Sequence, residues 1–227
     1  MSTSTRRPGR GGQRGKKKFR HKFSAIECAN ALEYAMKYER LPKSHPFRQS
    51  YEKYETRLGA KAFFGKNGLM VITGSQGIDD YLKFNLRTGF FKFFGRNRQQ
   101  RFHTGFMRHA SELLDAARKR KVKFITGHSL GAASAQLIAS TIHKDALCFA
   151  APKVLKTRYR SGTRAKIYCI NRADDGICSM PNDSYKHIGE VVEMRARRKI
   201  GMDHKIKHYI TAMNEKKVID DAPIYFT

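Results

Sequence analysis

One short segment carries residues whose types and spacing could do nucleophilic chemistry. In VKFITGHSLGAASAQLIAS, Gly127, Ser129 and Gly131 stand between an apolar run and a run of small residues. A serine becomes a nucleophile when a sharp strand-to-helix turn exposes its hydroxyl, and such a turn needs neighbours without bulk two positions away. Gly127 and Gly131 meet that need, with His128 filling the elbow between Gly127 and the serine. The helix that follows would aim free N–H groups and its positive dipole at a developing oxyanion, with the N–H of Leu130 as one donor. Composition alone produces Gly-x-Ser-x-Gly in roughly one chain in ten of this length. The surrounding elements therefore have to carry the argument.

Those elements are predicted from periodicity. Ser24 opens a stretch with Ile26, Ala29, Leu32, Ala35 and Met36 near helical spacing, which Pro42 and Pro46 end. Strands are expected at 60–64 and 69–73, around the turn GKNG, and again at 122–126, 146–150, 165–171 and 188–194. Helices are expected at 106–118, 130–143 and 204–214, the last with Asp203 at its N-cap. Strands alternating with helices of this length predict an α/β fold, a mostly parallel central sheet with helices on both faces. Neither a P-loop nor a dinucleotide fingerprint is present.

Several ordered blocks resemble the class 3 lipases, the group that includes the filamentous-fungal triacylglycerol lipases. VITGSQGIDDYLKFNL is similar to that family's strand, oxyanion turn and short helix, FHTGF to its next block, and VKFITGHSLGAASAQLIA to its elbow. CFAAPKV, YCINRADDGICSMP, SYKHIGE and MDHKIKHY then resemble the following strand, the acid block, the Tyr-x-His-x-Gly segment and the histidine block. The resemblance spans about two thirds of the chain and implies an α/β-hydrolase fold. It also implies acyl transfer by Ser129, Asp175 and His204, with Ser75 and Leu130 as the oxyanion hole. Asp175 stands six residues before Pro181, as the family's acid stands before its proline, and Asp174 is the second candidate. His208, one helical turn after His204, is the second candidate base. His187 and His103 fit supporting roles, and the chain departs from the family at Thr73, where an Arg is usual, and at Ala132, where a second Gly often stands. The order Ser, Asp, His agrees with α/β-hydrolases and differs from the orders of trypsin-like and subtilisin-like proteases.

The 227 residues suit one domain with a sizeable core, and 40% of them are hydrophobic. Residues 1–22, MSTSTRRPGRGGQRGKKKFRHK, lack acidic residues and apolar periodicity and are expected to be a disordered basic tail before a domain at 23–227. Lys and Arg number 46 against 19 Asp and Glu, a formal net charge of +27. Such a surface concentrates polyanions, so an anionic membrane or lipid interface is an expected partner and nucleic acid another, through the tail. Cys28, Cys148, Cys169 and Cys178 show no Cys-x-x-Cys spacing, so neither a zinc site nor a disulfide framework is expected, and the implied chemistry needs no metal or cofactor. With neither a signal-like apolar run nor 18 uninterrupted apolar residues, a cytoplasmic or peripheral membrane location is expected. Between Asp80 and Arg101, rings such as Phe84, Phe90 and Phe93 alternate with Lys83, Arg87 and Lys92, a mixture suited to adsorbing on anionic lipid and to preferring acidic phospholipid over neutral triglyceride. Two other classes are compatible with the composition and the motif: a nucleic-acid-binding protein on an inactive hydrolase scaffold, and a hydrolase of a non-lipid ester or thioester.

Overall fold

The computed structural model describes residues 23–74, 102–194 and 204–215. The basic tail, Ser75, the aromatic and basic segment after Asp80, and Asp203 lie outside the described residues.

Five parallel strands form the body of a seven-stranded sheet. They are β3 (Leu69–Ile72), β4 (Phe124–His128), β5 (Asp145–Phe149), β7 (Ile167–Arg172) and β9 (Glu190–Met194), side by side in that order. An antiparallel meander, β1 (Tyr51–Glu55) and β2 (Lys61–Gly65), extends the β3 edge. A two-stranded ribbon, β6 (Leu155–Lys156) with β8 (Tyr185–Lys186), stands apart.

Side chains alternate across the sheet, and in its middle both faces are dry. Met70 and Ile72 of β3, Ile125 of β4, Ala146 and Cys148 of β5, and Cys169 of β7 enter one core. Leu69, Val71, Phe124, Leu147, Phe149 and Ile170 enter the other. A parallel strand buried on both faces reads as a continuous apolar run, which is why these strands were predictable. Helices α3 (Thr104–Lys119) and α4 (Leu130–Ile142) cover the first face and pack on each other. Helices α1 (Ala25–Met36) and α5 (Ile206–Asn214) cover the second and also pack together. A short helix, α2 (Pro46–Ser50), leads into β1. A capping box sets the start of α1: the Glu27 N–H donates to Ser24 Oγ while the Ser24 N–H donates to the Glu27 carboxylate.

The short helix α2 and the ribbon of β6 and β8 were not expected from the sequence, and three further features differ from it. The fourth strand runs Phe124–His128 rather than 122–126, because Gly127 pairs with Ile72 and His128 with Phe149, so the ladder extends to the residue before Ser129. Strand β1, YEKYE, was not expected. It is a charged edge strand, partly exposed along its length, so it lacks the apolar alternation that marks a half-buried strand. Finally, α5 begins at Ile206, two residues later than expected, with Lys205 rather than Asp203 in the N-cap position and no side-chain cap bond.

Candidate active site

Strand β4 delivers the chain to Ser129, where the backbone turns into α4 with φ 61° and ψ −125°. A non-glycine residue at positive φ costs about 1–3 kcal/mol, and it persists where its surroundings over-determine it. Here the Ser129 N–H donates to Phe149 O at 3.0 Å, while Ser129 O accepts from the N–H groups of Ala132 and Ala133 at 2.9 and 3.1 Å. The two glycines are required by the crossing itself. A Cβ on Gly127 would lie 2.2 Å from Gly131 O, and one on Gly131 would lie 2.2 Å from Ile72 O. Both obstacles are backbone and cannot swing aside. Gly131→Ala is therefore expected to destabilise the fold by about 3 kcal/mol, seen as a fall in Tm on the order of 10 °C. A thermal melt within about 2 °C of the parent would contradict this packing.

Asp175 follows the end of β7 and caps the 3-10 turn Gly176–Ser179, accepting the Ile177 N–H at 3.1 Å through Oδ1. The same carboxylate lies 2.9 Å (Oδ2) and 3.0 Å (Oδ1) from His204 Nδ1. On the other side of that ring, Nε2 is 2.6 Å from Ser129 Oγ. With Asp175 ionised, Nδ1–H donates to it, which leaves the Nε2 lone pair to accept the serine proton. The Asp175 side chain is fully buried and that of His204 is 20% exposed, so the carboxylate is dry while the imidazole reaches the cavity. Burial pushes the Asp175 carboxyl up, but the hydrogen bonds from His204, Tyr209 and the Ile177 N–H outweigh it and hold it below the usual carboxylate range.

The two Asp candidates separate cleanly. Asp174 makes a bidentate pair with Arg172, at 2.9 Å to Nε and 2.6 Å to Nη2, and both side chains are almost wholly buried. It takes no part in the chain of bonds through Ser129 and His204, which Asp175 completes. His208 sits on α5, where its N–H donates to Lys205 O, while the bonds to Ser129 and Asp175 are made by His204. His187 Nε2 is 2.7 Å from Ala151 O and 3.2 Å from Asn171 Nδ2, a brace between two loops. His103, at the N-cap of α3, packs at a tilt against Phe106 and is pushed down to about 4 by burial and the nearby Lys156 charge. His128 packs its ring 4.9 Å from that of His204 and is pushed down to about 3, mainly by burial. It is a neutral surface for His204 to rest on.

Leu130 opens α4, so its N–H belongs to the set that a helix leaves without an intrahelical acceptor. Gly74 comes close on the other side: a Cβ there would lie 3.3 Å from Ser129 Cβ and 3.5 Å from Leu130 N. Ser75, the next residue, lies outside the described residues.

One residue of the site was missed from sequence. The Tyr209 hydroxyl is buried and donates to Asp175 Oδ2 at 2.8 Å, while it accepts the Arg172 N–H at 3.4 Å. Burial, first, and the neighbouring Cys178 and Asp175 keep that phenol protonated. The signal was available, since Tyr209 ends MDHKIKHY, and a tyrosine on the apolar face of a helix must find a partner for its hydroxyl.

Ser129, His128, His204, Thr73 and Gly74 open on a cavity of about 820 Å³ that reaches the C-terminal end of α1. That volume suits a drug-sized or larger ligand. The four cysteines are free and buried, and among the described residues no group of three His, Cys, Asp or Glu side chains is placed to hold a metal ion. Among the same residues, no helix is long and apolar enough to cross a membrane.

Residues 62–185 match the family described as lipase (class 3). Solved structures with this architecture include the lipase of Rhizopus microsporus var. chinensis, with a TM-score of 0.57 at 12% identity over 78% of this chain and 75% of that one. The triacylglyceride lipase of Rhizomucor miehei superposes with a TM-score of 0.54 at 15% identity, over 75% of this chain and 77% of that one. A triacylglycerol lipase whose catalytic centre is formed by a serine protease triad gives 0.52 at 15% identity, with the same coverage. Comparison with curated protein sequences yields no match.

Proposed function

The chain belongs to the class 3 lipase family, and from that membership we propose that it cleaves lipid esters with Ser129 as nucleophile, His204 as base and Asp175 as the acid that orients it. The family makes it a carboxylic ester hydrolase. The assignment of roles is carried by one observation: an unbroken hydrogen-bond chain from Ser129 Oγ through His204 to Asp175, starting at a strained strand-to-helix turn.

The chemistry follows from that chain. Ser129 Oγ attacks the ester carbonyl as its proton passes to His204 Nε2, and the imidazolium so formed is stabilised by Asp175. The carbonyl oxygen, now an oxyanion, is held by the Leu130 N–H at the start of α4, with Ser75 as the second donor. Collapse expels the alcohol, which takes the proton from His204. Water then repeats the sequence on the acyl-serine and releases the fatty acid. Activated aryl esters should therefore give a burst of one phenol per enzyme before steady turnover. Linear release from the first turnover, or activity on thioesters alone, would argue for a different acyl donor or mechanism.

Tyr209 fits this scheme as a positioning residue, because it fixes the Asp175 oxygen that faces His204. Tyr209→Phe is expected to lower kcat about tenfold with KM little changed, on the scale of one lost hydrogen bond to a charged group. An unchanged kcat in a variant that melts earlier would make the hydroxyl purely structural.

The formal charge of +27 supports an anionic lipid surface as the place of work, with the protein binding peripherally. Binding to vesicles containing phosphatidylserine should then weaken steeply as salt is raised. Equal binding to uncharged vesicles would remove that partner.

A further inference from the structure

The lysines around the reaction cavity are not equivalent. Lys37, Lys53 and Lys61 line it from the end of α1, from β1 and from β2, and each has a carboxylate. Lys37 pairs with Glu33 at 2.7 Å, Lys53 with Glu39 and Glu55, and Lys61 with Glu55 at 3.2 Å. Lys205 and Lys207 line the same cavity from the start of α5, directly after His204. Both are exposed, and neither has a carboxylate partner among the described residues. Asp175, the carboxylate that faces His204, is already occupied by His204, Tyr209 and the Ile177 N–H.

We propose that Lys205 and Lys207 form a subsite for the phosphodiester of a glycerophospholipid, so that the ester cleaved at Ser129 belongs to an anionic lipid rather than to a neutral glyceride. The proposal rests on the lipase reading of Ser129 and His204. Three physical arguments support it. The first is chemical complementarity: two ammonium groups match the two non-bridging oxygens of a phosphodiester, whereas a triglyceride offers them only weak carbonyl acceptors and shields them from water. The second is the charge pattern of the cavity wall. The lysines beside Met36 and Phe63 are paired with glutamates, while Lys205 and Lys207 border the cavity on the His204 side without such partners among the described residues. The N-terminal N–H groups of α5 add positive potential on the same side.

The third concerns the reaction itself. When His204 becomes an imidazolium, a third positive charge joins Lys205 and Lys207 at one wall of the cavity. An anion on the substrate offsets that repulsion where it is greatest, in the transition state. Anionic substrates should then gain in kcat and not only in KM.

The test uses monomeric short-chain lipids, which separate the subsite from adsorption to a surface. Wild type is expected to show a kcat/KM for dihexanoylphosphatidylglycerol about tenfold above that for dihexanoylglycerol, and Lys205→Gln with Lys207→Gln should bring that ratio to within about twofold of one. A wild-type ratio of one or less, or a ratio that survives the double substitution, overturns the proposal. Binding of the non-hydrolysable dihexyl ether of phosphatidylglycerol to the full chain gives a reading that needs no turnover. It should weaken about tenfold in the double variant, and equal binding by the two proteins would overturn the subsite whatever the activity. Loss of all ester hydrolysis with the ether still bound through the lysines would instead count against the lipase reading while keeping the subsite.

Discussion

Ser129→Ala should abolish labelling by an active-site fluorophosphonate and lower kcat on a soluble ester by about a millionfold, while leaving a folded protein. The size follows from what is removed. Without Oγ, the acyl group has no acceptor on the enzyme, and His204 can at best activate a misplaced water. Triad members act as a unit, so deleting the nucleophile costs nearly all that the unit supplies, and the remaining rate comes from binding and the oxyanion donors. Stability should move little, within about 1 kcal/mol, since alanine bears the same strained backbone and only one partly exposed hydrogen bond is lost. The decisive comparison is labelling of parent and variant side by side. Equal labelling of both, or none of either under conditions that label a control lipase, would show that Ser129 is not the nucleophile.

What was legible in the sequence was local. The elbow could be read because its constraint is steric and lies within five residues: Gly127 and Gly131 are small since each faces backbone at 2.2 Å from where a Cβ would stand. The parallel strands could be read because burial on both faces leaves a continuous apolar run. Strand β1 escaped because its residues answer to water on the edge, where Lys53 pairs with Glu39 and Glu55 and Glu52 with Arg120. The choice between Asp174 and Asp175 lay beyond periodicity altogether. Adjacent residues at the end of β7 point different ways, and Arg172 claims one while His204 claims the other. Tyr209 signals locally only that its hydroxyl needs a partner, and which partner is not local, since Asp175 lies 34 positions earlier in the chain. The contrast between Lys205 and Lys207 and the other cavity lysines likewise depends on which glutamates reach the latter.

The second large effect separates those two aspartates. Asp175→Asn should lower kcat about 10⁴-fold with KM little changed, because an amide can donate its N–H to Nδ1 and favour the tautomer with the proton on Nε2. That tautomer cannot take the Ser129 proton, although every heavy atom keeps its place. Asp174→Asn should do the reverse: it leaves the buried Arg172 guanidinium without its carboxylate, costing about 3 kcal/mol of stability with kcat close to that of the parent. A pH series adds an independent check on sign. Because the folded protein holds Asp175 below the ordinary value of about 3.9, its stabilising contribution is complete above that pH and is lost as pH falls through the lower folded value. The amide introduced by Asp175→Asn has no proton to gain, so the variant's stability should fall less steeply with acid in that window. If kcat instead collapsed in Asp174→Asn and survived in Asp175→Asn, the acid role would pass to Asp174, and the bond from Asp175 to His204 would have to be purely structural.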